Sequence, residues 1–295
     1  KTDHARRVNT ITGRLVIQAF NEIRRTERIN SMNIAVLIKQ VPVSNDVSVD
    51  PVTHALVRAS SEGMINPSDL NAIEAALVLK EQTEGKVVVF TMGPPDAEKA
   101  LRDAMALGCD ESCLITDRVF GGADTIATAK VLAEGIKKYG EFDLIMGGAL
   151  SADGATGQVG AMVAEYLDIP HVTEIQSVSY DAEEPDKVTI IKKFQGLDLT
   201  IKAALPALVS VNFGANEPRL ATLRTKRAAK SKPLAAYTNA EMGMDPEKVG
   251  LPGSPTIVTD SFEPESDRKA EFLTGTPKEL AEKLKELIET EKGKE

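Results

Sequence analysis

The sequence predicts an α/β fold: a parallel sheet with helices on both faces, a β-hairpin insertion at the sheet edge, and a long C-terminal arm ending in a helix. Three observations carry this. From residue 33 to about 170, short apolar runs alternate with helical segments at the spacing of β-α-β units. From about 171 to 211 the pattern changes to strands with little helix between them. Beyond 214 regular patterning fades into proline-, glycine- and charge-rich chain before one well-signalled helix.

Residues 1–31 stand apart, with seven Lys/Arg against three Asp/Glu in a chain whose net charge is −9. Ile11, Leu15, Ala19, Phe20 and Ile23 fall at helical spacing, which predicts one amphipathic helix. Met32 has the character of a start residue at the head of the α/β domain. Residues 1–31 are therefore expected to be an extension, natural or targeting, whose role is open. Ile34, Ala35, Val36, Leu37 and Ile38 make the first buried strand. Ser68 is a good N-cap for a helix through Leu70, Ile73, Ala76, Leu77 and Lys80. The next strand covers 86–91. After it, Pro95 suits a first helical position, Asp96 and Glu98 suit the positive helix end, and Gly108 closes the helix. A third strand covers 112–116, Asp124 caps a helix ending at Gly140, and a fourth strand covers 143–146.

The hairpin region reads as strands at 172–178, 188–193, 199–203 and 207–211, with an acidic turn from Asp181 to Asp186. The arm carries Pro218, Pro233, Pro246, Pro252, Pro255 and Pro264, and is basic through Arg219, Arg224, Lys226, Arg227, Lys230 and Lys232. A structureless stretch of this length is uncommon inside a compact domain, so an arm lying on another polypeptide is expected. Thr276, Pro277 and Glu279 form a helix-start signal, and Leu280, Leu284, Leu287 and Ile288 give one apolar stripe for docking on a partner subunit. The expected organisation is an extension at 1–31, an α/β domain at 32–213, and an arm with its helix at 214–295.

Composition excludes several classes. A net charge of −9 argues against a nucleic-acid binder. No apolar run reaches membrane-spanning length. The two cysteines, Cys109 and Cys113, do not form a Cys-x-x-Cys pair, and read as reduced, part-buried thiols of a cytoplasmic protein. His4, His54 and His171 are scattered, so neither a metal site nor a histidine triad is expected.

The richest segment is 147–160, Gly-Gly-Ala-Leu-Ser-Ala-Asp-Gly-Ala-Thr-Gly-Gln-Val-Gly, which follows the fourth strand and leads into an apolar-periodic run. It lacks the Gly-Lys-Ser/Thr ending of a P-loop and does not sit on the first strand, as the dinucleotide fingerprint does. Strand, glycine-rich loop and helix start nevertheless make an anion site, because small residues admit a phosphate to free backbone N–H groups. A plain strand-to-helix turn is the bland alternative. Three other loops, 39–42, 66–69 and 92–95, leave strands or open helices on what should be the same side of the sheet. Their convergence makes a nucleotide the first expectation.

From Met32 onward the chain resembles the beta subunit of electron-transfer flavoproteins. The matching pieces are residues 35–42 (Ala-Val-Leu-Ile-Lys-Gln-Val-Pro), 66–69 (Asn-Pro-Ser-Asp) with 72–76, 92–95 (Met-Gly-Pro-Pro), and the loop ending Thr156-Gly157-Gln158. Further on come 205–210 (Leu-Pro-Ala-Leu-Val-Ser) and 216–222 (Asn-Glu-Pro-Arg-Leu-Ala-Thr). The resemblance implies a Rossmann-like nucleotide-binding domain and a heterodimer whose alpha subunit the arm wraps. In the housekeeping branch the beta subunit holds AMP alone, and the pair carries electrons from acyl-CoA dehydrogenases. In the electron-bifurcating branch the same pocket holds FAD, which takes hydride from NADH. Electrons then divide between ferredoxin or flavodoxin and, through an alpha-subunit FAD, an acyl-CoA dehydrogenase. The forms at 66–69 and 92–95, Val49-Asp50-Pro51 with Arg58, residues 253–256 and Phe262 with Pro264 resemble the bifurcating branch.

On this resemblance Gly154, Ala155, Thr156, Gly157 and Gln158 hold phosphate, and Gly148 and Asp153 belong to the same cofactor-binding set. Asn66 and Asp69 meet the adenosine end, Met92, Gly93 and Pro94 border the flavin or NADH, and Lys39 brings positive charge. No acid, base or nucleophile is required, so the chain is a redox subunit and not an enzyme alone. One departure stands out. The partner-recognition loop reads Gln195-Gly196-Leu197-Asp198-Leu199, which places Asp198 where the apolar anchor is expected: either the loop is shifted by one residue, with Leu197 or Leu199 as anchor, or the docking partner differs.

Overall fold

The computed structural model describes residues 31–43, 48–49, 56–57, 63–259 and 272–292. The expected amphipathic helix of 1–31, Asp50, Pro51, Arg58, Phe262 and Pro264 lie outside the described residues.

The chain enters through β1 (Asn33–Leu37) and continues through the short strands β2 (Gln40–Pro42), β3 (Ser48–Val49), β4 (Leu56–Val57) and β5 (Gly63–Ile65). There follow α1 (Pro67–Thr83), β6 (Lys86–Met92), α2 (Glu98–Leu107), β7 (Glu111–Ile115), α3 (Thr125–Tyr139), β8 (Leu144–Gly148) and α4 (Val159–Leu167). Next come β9 (His171–Tyr180), β10 (Lys187–Phe194), β11 (Leu197–Ala204) and β12 (Ala207–Val211). The main body closes with α5 (Leu223–Ala229), β13 (Leu234–Tyr237) and α6 (Asn239–Met242).

Nine strands form one sheet in the order β11-β10-β9-β12-β8-β1-β6-β7-β13. Every neighbouring pair from β9 to β13 is parallel, whereas β10 runs antiparallel to both β9 and β11. This is the expected parallel sheet with an edge hairpin. The central strands are apolar on both faces because helices cover both. Ile34, Val36, Val87, Val89, Leu144 and Met146 pack beneath α1 and α2 with Ile73, Leu77 and Leu101. Ala35, Val88, Phe90 and Ile145 point to the other face and meet Leu132 and Ile136 of α3 and Val163 of α4. The period of two along each strand thus divides one apolar run between two cores. Cys109 belongs to the first core and Cys113 to the second. Both thiols are free and fully buried, and burial pushes each up to about 12.

Helix punctuation follows the local chemistry. The Asp124 side chain accepts from the Ala127 N–H at the start of α3, and Gly108 and Gly140 take the C-cap positions of α2 and α3. Ser68 is not the N-cap of α1. Asn66 takes that place and Pro67 is the first helical residue. Proline lacks the N–H that a cap would satisfy and its φ is already helical, so the helix starts two residues earlier than the serine suggests.

The stretch after β12, expected to lack regular structure, holds α5 and β13, and β13 joins the far edge of the sheet beside β7. Its signal is short: a capping box at Thr222 and Thr225, then four residues behind Pro233. Past Val258 the chain belongs to a second unit, described at residues 259 and 272–292. It contains α7 (Pro277–Lys292), whose start is capped as expected, with the Thr276 N–H and hydroxyl both donating to Glu279 Oε2 at 2.8 Å.

Candidate functional site

Sheet order locates the site before any side chain is considered. From β1 the chain steps outward to β6 and β7, then crosses back to β8 on the other side of β1 and continues outward to β12. The direction of winding therefore reverses between β1 and β8. Their carboxyl ends diverge there and leave a crevice, which is where open α/β sheets receive ligands. The β1–β8 ladder runs from Ile34 opposite Leu144 to Leu37 opposite Gly147 and then stops.

The start of α1 fills the base of this crevice. Asp69 Oδ2 accepts the backbone N–H of Lys39 at 2.7 Å, just past β1. Asp69 Oδ1 accepts the N–H of Gly148, the last residue of β8, at 3.0 Å, and an amide hydrogen of Asn66 at 3.0 Å. Asn66 Nδ2 also donates to Ser68 Oγ at 2.9 Å and to the Leu150 carbonyl at 3.0 Å. The Ser68 hydroxyl donates to the same carbonyl at 2.6 Å, and the Ala152 N–H donates to Asn66 Oδ1 at 2.9 Å. Gly148 has to be glycine for this contact. A Cβ there would lie 2.2 Å from Asp69 Oδ1, 2.3 Å from Ser68 Oγ and 2.8 Å from the Asp69 nitrogen. Burial pushes the Asp69 carboxyl up to about 7, against the opposing pull of the Asn66 amide, the two backbone donors and the Lys39 charge.

Above that base the loop comes out to solvent. Residues 154–158 are exposed. Ala155 and Gly157 are left-handed, with φ of 48° and 63°. The Ala149 N–H is tied to the Val211 carbonyl of β12 at 2.8 Å, so the loop is anchored on both flanking strands. Lys39 Nζ reaches Asp153 Oδ1 at 2.7 Å across the crevice. Partial burial raises the Asp153 carboxyl, but the Lys39 hydrogen bond and charge outweigh it and hold the group below its ordinary range. Helix α4 then begins with no side-chain cap on its first turn. Gln158 Oε1, which precedes it, accepts from the Thr125 hydroxyl at 3.0 Å.

Lys39, Asn66, Asp69, Gly148 and Asp153 thus form one connected network, and Gly154 to Gln158 are its exposed rim. Met92, Gly93 and Pro94 leave β6, one strand beyond β1, where the Gly93 N–H donates to the Ile115 carbonyl at 3.1 Å. Leu197 and Leu199 lie elsewhere, on the hairpin at the opposite edge of the sheet. Gln195 and Gly196, with φ of 50° and 79°, make a two-residue turn that sets Leu197 opposite Phe194 and Leu199 opposite Lys192. Leu197 is 66% exposed and Phe194 52%, so the hairpin tip carries an apolar pair in solvent. Ser68 and Thr125 are parts of the site that sequence reasoning missed. Ser68 looked like a cap, and Thr125 reaches the loop only through the packing of α3 against α4.

The rim's chemistry is one-sided. It offers the backbone N–H groups of residues 156–158, those of Gly154 and Ala155 being taken by Asp153 Oδ1 and the Ser151 carbonyl, together with an uncapped helix start and one ammonium paired with Asp153, a set that suits an anion such as a phosphate. Fold and crevice define a doubly wound α/β protein with an anion-suited loop at its switch point. Residues 53–242 match the electron transfer flavoprotein domain. The chain is 41% identical over 258 residues to an electron transfer flavoprotein subunit beta of Thermoanaerobacterium thermosaccharolyticum, covering 87% of this chain and 98% of the relative. It is 39% identical to the caffeyl-CoA reductase-Etf complex subunit CarD of Acetobacterium woodii, covering 83% and 93% respectively. It is 36% identical to the protein FixA of Sinorhizobium fredii, covering 87% and 92%. The chain belongs to the electron transfer flavoprotein family, as one of its beta subunits.

Proposed function

We propose that this beta subunit works in a heterodimer with an alpha subunit and holds FAD at the crevice between β1 and β8. The observation that supports this most directly is the exposed 154–158 rim, opposite Lys39, running into the uncapped start of α4. Bound there, FAD would supply a hydride acceptor for NADH and a branch point between ferredoxin or flavodoxin and, through an alpha-subunit FAD, an acyl-CoA dehydrogenase. In this reading the N–H groups of Thr156, Gly157 and Gln158 and of the first α4 turn hold the pyrophosphate, and Gly154 and Ala155, whose N–H groups are bonded within the loop, shape the loop beside it. Lys39 shares its charge between Asp153 and phosphate, and Met92, Gly93 and Pro94 border the ring system or the incoming NADH. The side chains hold, orient and exclude water, since the redox chemistry belongs to the cofactor.

Leu197 and Phe194 at the hairpin tip are the proposed dehydrogenase contact, with Leu199 behind them. Residues 214–295 contribute the surface for the alpha subunit. The CarD relative carries the name of a caffeyl-CoA reductase complex, which supports a partner acting on CoA thioesters. The two buried thiols fit a cytoplasmic setting.

The test is a cofactor count on the purified heterodimer. Two FAD per pair, with NADH reducing both one-electron acceptor and dehydrogenase only when both are present, is the expected result. One FAD plus one AMP, with no response to NADH, overturns it in favour of a carrier that holds AMP in this crevice.

A further inference from the structure

We propose that Asp69 is a positioning residue: with Asn66 and Ser68 it acts on the nucleotide through the loop it holds, not by touching the nucleotide. This rests on the nucleotide reading of the crevice. The β1–β8 ladder ends at Leu37 opposite Gly147. Past that point the strands part: the Ile38 N–H still reaches the Phe90 carbonyl of β6 at 2.9 Å, but the Lys39 and Gly148 N–H groups find no acceptor across the β1–β8 gap. Asp69 supplies the acceptors instead, one oxygen to Lys39 and one to Gly148, and so ties the two lips of the crevice at a fixed separation. Asn66 and Ser68 continue the hold onto the Leu150 carbonyl and the Ala152 N–H, where the rim begins. Asn66, Ser68 and Asp69 are 2%, 4% and 5% exposed, and their polar atoms are taken up by the protein itself. These side chains face the loop from beneath, so they set its place rather than meet a ligand in solvent.

A carboxylate suits this post. Three donors converge on Asp69, from Lys39, Gly148 and Asn66, and a group that only accepts can serve them all. An asparagine would turn an NH₂ toward at least one of them. Around Asp69, Lys39 is the charged side chain that acts on it, and Asp153 lies beyond Lys39 as that lysine's partner. The neighbouring β8 and β12 carry no titratable side chain, and Glu74 on α1 is turned to Arg219. With its carboxyl pushed up to about 7, Asp69 takes a proton in the neutral range and loses an acceptor site. The loop's grip should then weaken as pH falls through that value. Fold stability moves the other way. The folded state takes up this proton between the ordinary aspartate range and about 7, so lowering pH through that window favours folding. A purely structural carboxylate would not set binding and stability in opposite directions.

The experiment uses the heterodimer freed of its beta-site nucleotide, with AMP as probe, titrated calorimetrically from about pH 6 to 8.5, the range that brackets a group near 7. Wild type is compared with Asp69→Asn, so that the phosphate's own titration cancels. Wild type should bind AMP about tenfold more weakly at pH 6 than at pH 8 relative to the variant, the ratio expected when one deprotonated group is required. Asp69→Asn should be weak at every pH. If that variant fails to assemble, Ser68→Ala keeps the carboxylate but drops one bond to Leu150. It should weaken AMP a few-fold and leave the pH midpoint unchanged. A flat wild-type profile, or wild-type binding in Asp69→Asn at all pH values, overturns the role. Wild type that takes up neither AMP nor FAD at any pH overturns the nucleotide reading itself, which is a different failure.

Discussion

Two residues of the loop can be tested by adding or removing one carbon. Gly148→Ala forces a Cβ to 2.8 Å from the backbone nitrogen of Asp69, an atom that cannot swing aside as a flexible side chain would. We expect a loss of about 1–3 kcal/mol in urea denaturation, the usual cost of overpacking, together with weaker nucleotide binding. Ala155 is the opposite case. Its φ of 48° places an L-residue in the left-handed region, where the Cβ costs roughly 1–2 kcal/mol. Ala155→Gly should therefore stabilise the chain by about 0.5 kcal/mol, once glycine's greater unfolded freedom is set against the relief. A drop in the denaturation midpoint would show that the loop is not strained. The importance of Gly148 was legible from its residue type, and the reason for it was not. The atoms it must avoid belong to a helix start some eighty residues earlier, and only the fold brings them together.

At the scale of elements, the segment after β12 is fastened to α1. Arg219 reaches Glu74 through Nε at 2.8 Å and a second nitrogen at 3.0 Å, and Glu81 at 2.6 Å, while its own N–H also donates to Glu74 at 3.0 Å. Asn71 and Asn216 exchange hydrogen bonds beside it. Burial raises the Glu74 carboxyl, but the hydrogen bonds and charge of Arg219 outweigh burial and hold it below the ordinary glutamate range. Its folded value is depressed, so this contribution is present at neutral pH and is lost as pH falls through that lowered value. Arg219→Ala should cost about 1–2 kcal/mol near pH 7, discounted for the partial exposure of the arginine. In urea titrations at falling pH, the gap from wild type should close below the ordinary glutamate range. A gap that stays constant into acid would mean that the ion pair contributes nothing. The hairpin tip makes the complementary case. Leu197→Ala should leave stability within about 0.5 kcal/mol, because the side chain is 66% exposed, yet slow electron exchange with the proposed dehydrogenase partner. An unchanged rate would remove Leu197 from the docking surface. This hairpin was legible as alternating strands around an acidic turn. The strand β13 was not: four residues behind a proline carry no period of their own, and its place comes from pairing with β7.

For the whole molecule, the reversal between β1 and β8 opens the crevice proposed for the nucleotide, and opposing carboxylates decide how the fold answers acid. Asp69 is raised to about 7, whereas Glu74, Glu111, Asp124 and Asp153 are lowered. Between the ordinary aspartate range and about 7 the Asp69 contribution favours folding as pH falls. Below that range the lowered groups lose theirs. The thermal midpoint should hold or rise from neutral pH toward about 5 and then fall steeply in stronger acid. In Asp69→Asn the rise should vanish while the acid fall remains, and a rise that persists would assign it to another group. The sequence by itself determined the α/β class, the alternation of the main strands and helices as far as β12, the edge hairpin and the loops that would meet at one end of the sheet. These rest on local chemistry: period, caps, prolines and glycines act within a few residues. The tertiary structure alone decided that Asn66 and Asp69 turn beneath the loop, that Lys39 is paired with Asp153, and that the stretch past β12 completes the sheet. Each depends on which strand lies beside which, and hydrogen bonds between residues 30 to 145 positions apart leave no period in the chain for a reader of the sequence to find.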